Sequence, residues 1–194
     1  MPWALKLSIE SSAIIVSPDY RLLPSANGVA DQLEDLEDFW QWTRTGLAES
    51  LKHHAPEHTA DLSSLLLTGG SAGGYCITQL ALSHPDEIKA MAMSYPFVNP
   101  ADGIMAEGPG PDEPTLFNVP LEEMKTAEEV RAWIEDAKKS VVSRAGHERG
   151  DYALAATQHG MFYSHIFDSA NLGRREEFLP LERIRGGARL PKHM

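Results

Sequence analysis

Six residues, Gly69-Gly70-Ser71-Ala72-Gly73-Gly74, constrain this chain more than any other stretch. They set a G-x-S-x-G serine between an apolar run and a helix-like run. Upstream, Ser64-Leu65-Leu66-Leu67 is short, apolar and bounded by polar residues, the pattern of a buried parallel strand. Downstream, Tyr75, Ile77, Leu80, Ala81 and Leu82 keep a helical spacing that stops at His84-Pro85, where proline forbids continuation. Strand, tight turn and helix in that order are the grammar of a nucleophile elbow. A serine hydroxyl is a poor nucleophile unless it is held exposed on a strained turn beside a base. The flanking Gly69, Gly73 and Gly74 permit such a turn because they carry no Cβ to clash. Ala72 then offers a backbone N–H at the helix start, where that donor and the local dipole can stabilise an oxyanion.

Read alone, the motif admits two other meanings: a flexible glycine loop, or a phosphate cradle at a helix N-terminus. No lysine follows the glycines as a P-loop requires, and the spacing is not that of a dinucleotide fingerprint.

A chain of 194 residues with 42% hydrophobic content can bury one core, and its length calls for one domain. A formal charge of -11 repels nucleic acid and anionic membrane surfaces, so neither is an expected partner. The single cysteine, Cys76, excludes an intrachain disulfide and falls on the apolar helix after the serine, where it reads as a small buried residue rather than a catalytic thiol. There is no basic leader at Met1-Pro2-Trp3-Ala4-Leu5-Lys6-Leu7, and no later segment approaches a membrane span. A cytoplasmic protein is therefore the expectation. No pattern calls for a cofactor or a metal.

Along the chain, Trp3 to Ile9 has helical spacing, and Ala13-Ile14-Ile15-Val16 reads as a β-branched strand, expected over 12–17. Val29, Leu33, Leu36, Trp40, Leu47 and Leu51 predict one helix over 28–51, whose acids Asp31, Glu34, Asp35, Glu37 and Asp38 read as a solvated face. The elbow supplies a strand over 65–69 and a helix over 72–84, and a further strand is expected over 89–95, closed by Tyr95-Pro96. Alternating strands and helices argue for an α/β fold, a parallel sheet flanked by helices. From Pro100 to Pro120 the chain is rich in proline, glycine and acid. Thr126-Ala127-Glu128-Glu129 is then a capping-box signature opening a helix over 126–144, and a second helical candidate runs from Tyr152 to Phe167.

With these elements placed, the chain resembles the α/β-hydrolase superfamily, and within it the hormone-sensitive-lipase-like esterases (the α/β-hydrolase fold-3 group). Asp19-Tyr20-Arg21-Leu22-Leu23-Pro24 and the elbow, in this order and at this spacing, carry the resemblance over most of residues 1–100. Family elbows usually hold an acid where Gly70 stands, and the motif around Arg21 usually ends in Glu where Ser25 stands. The resemblance implies a partial α/β-hydrolase core over 1–99, a helical cap insertion over 100–180, and a return toward the core over 181–194. It implies a serine carboxylic-ester hydrolase acting on a small apolar acyl ester, with Ser71 as nucleophile and the Ala72 N–H as oxyanion donor. It also implies a chain truncated at both ends. The H-G-G-G-type loop that precedes the first helix in the family has no counterpart here, nor have the strand carrying the triad acid and the base histidine beyond it.

The family strand preceding residue 1 lies between the strand at 13–16 and that at 65–68. Without it, either those two strands close up and distort the elbow, or the chain is marginal. His53, His54, His58, His84, His147, His159 and His165 read as solvated or capping residues and His193 as frayed near the end, so the triad acid and base stay unassigned. A non-catalytic ligand-binding module and a non-functional fragment remain the alternative readings, and the oligomeric state is left open.

Overall fold

The computed structural model describes residues 2–101, 103–144, 146–170 and 173–192. Its centre is a strand–helix–strand unit, β1 (Leu65–Gly70), α4 (Ala72–Ser83) and β2 (Ile88–Ser94), preceded by α1 (Pro2–Glu10), α2 (Val29–Thr45) and α3 (Leu47–His54). β1 and β2 pair in parallel, with Leu67 opposite Met91, Gly69 opposite Met93 and Gly70 opposite Ser94. Parallel neighbours need a crossover, and α4 supplies it by packing back on both strands. Every residue of α4 from Gly74 to Leu82 is buried. A helix buried on all sides lies inside a core, and α2, the sheet and the segment around Phe178 and Leu179 cover it.

Residues 12–17 do not form the expected strand. They run without regular structure, and Ile14 and Ile15 are exposed. β-branched residues become a strand only when a neighbour takes their N–H and C=O groups, and among the described residues the sheet has two strands that pair only with each other. The outer edge of β1 therefore stays open, with Leu66 60% exposed; residues 13–16 have not closed up on it, and the turn at Ser71 keeps its form.

The helix expected over 28–51 breaks at Gly46. The Trp42 ring lies against that glycine so closely that a Cβ there would sit 2.7 Å from Trp42 Cδ1, and α3 starts on a new axis. Beyond the sheet come α5 (Ile104–Glu107), α6 (Ala127–Ala137), α7 (His147–Gln158), a π-turn over Phe162–Phe167, α8 (Arg175–Phe178) and α9 (Pro180–Arg185). α6 opens on the capping box of Thr126 and Glu129, as the sequence predicts. It stops short of 144 because the chain straightens to bring the Val142 carbonyl to the Leu22 N–H, at 2.8 Å. The helix expected from 152 to 167 is divided at Gly160, whose φ of 65 turns the chain and whose missing Cβ leaves room for the Glu107 carbonyl.

Two apolar clusters result. One gathers α2, α4, β2, Phe167, Phe178 and Leu179; the other joins α6, α7 and the π-turn through Val130, Ile134, Ala155, Ala156, Met161 and Ile166. Leu23 and Phe162 pack on both. Arg149 adds a polar tie between them, donating from Nε to the Leu23 carbonyl at 3.0 Å and from Nη2 to that of Leu22 at 2.9 Å. No helix among the described residues is long and apolar enough to cross a membrane.

Candidate active site

Ser71 stands where β1 ends and α4 begins, with φ 52 and ψ -124. That is the mirror image of the β region, which glycine enters freely and a residue with a Cβ does not. Holding a serine there costs about 1–3 kcal/mol, so the surroundings must over-determine it. They do so through the backbone. The Ser71 N–H donates to the Ser94 carbonyl at 3.1 Å, and the Ser71 carbonyl accepts from Gly74 at 3.0 Å and from Phe97 at 3.1 Å. The residue is thus clamped between the end of β2 and the first turn of α4, and its side chain is exposed. No described side chain bonds its hydroxyl, which makes no cap to the helix it precedes.

The glycines predicted for the elbow divide in role. A Cβ on Gly69 would meet the Gly73 carbonyl oxygen at 2.4 Å, and one on Gly74 would meet Pro96 Cα at 2.7 Å. Both positions exclude a side chain, the first so that the helix can start directly over the strand end, the second so that α4 can approach the chain leaving β2. At Gly73 a Cβ would meet nothing within 4 Å, so its place in the motif is not set by space. The Ala72 N–H lies at the first helical position and has no hydrogen-bond partner among the described residues. It remains available to a ligand at the positive end of α4.

The histidines are elsewhere engaged. His84 closes α4, stacked on Trp40 with centroids 4.4 Å apart, its Nε2 2.9 Å from Glu37 Oε2. His159 Nε2 lies 3.0 Å from the Lys125 carbonyl, and His165 Nδ1 lies 2.7 Å from Ser164 Oγ. His53 and His54 pack edge to face, and His58 pairs with Glu57. His147 is exposed at the start of α7. His193 lies outside the described residues. None of the seven described histidines contacts Ser71 through a hydrogen bond, and no group of three or more His, Cys, Asp or Glu among the described residues is placed to hold a metal.

The Arg21 motif proves to be an anchor. Its backbone N–H donates to Asp35 at 2.7 Å, while the guanidinium reaches Asp31 at 3.2 Å, Glu34 at 2.6 Å and Asp35 at 2.8 Å. Three of the acids read as a solvated face of α2 thus converge on one arginine, and Asp31 is only 5% exposed. Burial works to raise the Asp31 pKa, but the bonds from Asn27 and Ser25 and the charge of Arg21 outweigh it and hold the carboxyl below 3.8. The spacing of 31, 34 and 35 on one helical stripe, with an arginine just upstream, was the available signal. Two concave sites, of about 150 and 440 Å³, flank Arg21, and Ser71 lines neither.

Residues 2–148 match the family described as alpha/beta hydrolase fold. The chain is 36% identical over 133 residues to "Probable carboxylesterase clz11" of Cochliobolus lunatus, a match covering 68% of this chain and 59% of that protein. It is 33% identical over 141 residues to "Probable carboxylesterase M8" of Phoma sp., covering 72% of this chain and 43% of that protein. The chain therefore spans only about half the length of these curated relatives. No solved structure matches it. A parallel β-α-β unit with a strained serine at the strand-to-helix turn, together with this match over residues 2–148, places the chain in the α/β-hydrolase-fold family.

Proposed function

We propose that this chain is a serine carboxylic-ester hydrolase for small apolar acyl esters, with Ser71 as its nucleophile. The observation that supports it is Ser71 itself: an exposed serine whose backbone is held at φ 52 by four backbone hydrogen bonds, to Ser94, Gly74, Tyr75 and Phe97. Ser71 Oγ bonds to the acyl carbon while its proton passes to solvent water at this exposed position, from which the departing alcohol oxygen later takes one. The carbonyl π electrons move to oxygen, and the Ala72 N–H, at the start of α4, donates to that oxyanion. Collapse of the tetrahedral adduct releases the alcohol and leaves an acyl-serine for water to cleave. Residues 100–180, with their own apolar cluster, act as a cap that selects the acyl chain. The printed names of the two fungal relatives point the same way.

No described base lies within hydrogen-bond reach of the Ser71 hydroxyl, so the 194-residue chain by itself hydrolyses esters slowly. Removing one oxyanion donor alone costs about 10²–10³ in rate, and loss of triad members costs more. A short-chain aryl ester assay and labelling by a fluorophosphonate, each with Ser71→Ala as control, test both statements. Weak turnover and weak labelling that both vanish in Ser71→Ala are expected. Turnover that survives Ser71→Ala would remove Ser71 as nucleophile, and robust turnover that depends on Ser71 would show that the residues present suffice.

A further inference from the structure

Tyr95 immediately follows β2, and the sequence marks it only as part of a strand-ending Tyr-Pro pair. In the structure it is the second strained residue at this edge, with φ 41, a conformation uncommon for a bulky side chain. Gly70 and Ser94 are opposite one another in the parallel ladder, so Ser71 and Tyr95 leave the two strands side by side. The Tyr95 ring folds back over the elbow: a Cβ built on Gly70 would lie 3.3 Å from both Tyr95 Cζ and Tyr95 Oη. A side chain at 70 would press on the ring, which would have to shift to accommodate it.

The ring gains little from the fold in return. Tyr95 is 82% exposed, and its hydroxyl has no partner among the described residues. The aromatics of the main cluster, by contrast, are buried or partly buried within it, as Tyr75 is against Phe167. Backbone strain without burial or hydrogen bonding to offset it is found where function holds the residue in place. Taking Ser71 as the reacting serine, we infer that Tyr95 is a specificity-determining residue of the Ser71 site, its ring forming a wall against which an aromatic group of the ester stacks. An exposed ring face beside the reacting carbon favours an aryl ester over an alkyl ester of equal size by about threefold to tenfold, the range of an aromatic pair. Gly70 belongs to the same device, because any side chain there displaces the ring.

The test uses the whole chain labelled with 3-fluorotyrosine and two unreactive ester mimics of equal carbon number, an aryl alkyl ketone and a dialkyl ketone. Tyr95→Phe identifies the Tyr95 signal in the fluorine spectrum among those of the five tyrosines. The aryl ketone is expected to move that signal and the dialkyl ketone to leave it in place. Tyr95→Ala should weaken the aryl ketone about threefold to tenfold without changing the dialkyl ketone, while Tyr95→Phe, which keeps the ring, binds as the parent does. Gly70→Ala should shift the Tyr95 signal before any ligand is added. A Tyr95 signal unmoved at saturating aryl ketone overturns the inference, as does an equal loss of both ketones in Tyr95→Ala, the mark of a merely structural residue. Fluorophosphonate labelling of Ser71, run in parallel, is read separately. A moved Tyr95 signal with no labelling removes the hydrolase reading and leaves the aryl site standing.

Discussion

Replacing Ser71 by glycine should make the protein more stable, and the size of the gain follows from the turn. The hydroxyl makes no hydrogen bond and caps no helix, so its removal in Ser71→Ala is nearly neutral, within about 0.5 kcal/mol. The Cβ is the costly part, because φ 52 and ψ -124 lie outside the regions open to an L-residue with a side chain. Relief of that strain contributes about 1–3 kcal/mol, from which the greater freedom of glycine in the unfolded chain takes back about 0.5–1 kcal/mol. The net gain is about 1 kcal/mol, which for a chain of this size raises the melting temperature by about 2–4 °C. Thermal and urea unfolding of Ser71→Gly against Ser71→Ala isolate the term, since both variants lack the hydroxyl and differ only at Cβ. If Ser71→Gly melts at or below Ser71→Ala, the turn is not strained and the elbow loses its physical basis. The same substitution abolishes fluorophosphonate labelling, so stability and activity are expected to move in opposite directions.

Further tests address the supports of the site. Gln79, buried on α4, donates from Nε2 to the Phe178 carbonyl at 2.7 Å and to Tyr75 Oη at 3.0 Å, and accepts from Arg183 at 2.5 Å. Gln79→Leu should cost about 2–3 kcal/mol in urea unfolding and expose residues 178–190 to limited proteolysis first; an unchanged cleavage order would show that the network does not dock this segment. Asp31, held below 3.8 in the folded state, contributes stability that is complete above that value and is lost as pH falls through the lower folded-state one. The deficit of Asp31→Asn should therefore be largest near neutral pH and shrink in acid, and a deficit constant from neutral pH to acid unfolding would refute the assignment. Cys76 is 4% exposed, and burial pushes its thiol up to about 11 against the opposing bond from Tyr20. A thiol reagent should modify it only as fast as the protein unfolds, and rapid reaction in native buffer would place it outside the core.

The elbow was legible in the sequence because its parts are local. A short apolar run, glycines at fixed offsets, a helical spacing and a terminal proline all act within about twenty residues, and each encodes a backbone preference that needs no distant partner. The capping box of Thr126 and Glu129 was legible for the same reason. The breaks at Gly46 and Gly160 were not, since each depends on what meets the glycine: the Trp42 ring in one case, the Glu107 carbonyl in the other.

Residues 13–16 show the opposite limit. Their β-branched pattern states a preference for extended backbone, but a strand exists only with a partner along its edge, and among the described residues none pairs with them. The acids of α2 likewise declare only their charge. That Arg21 would draw in Asp31, Glu34 and Asp35 depends on how the preceding segment folds back along α2. The strand, turn and helix around Ser71 follow directly from the order of the residues, because steric preference and periodicity act between near neighbours. Which edge of β1 is paired, which acids meet Arg21 and that Tyr95 lies across Gly70 are set by the folded chain, because these are contacts between residues that come together only on folding.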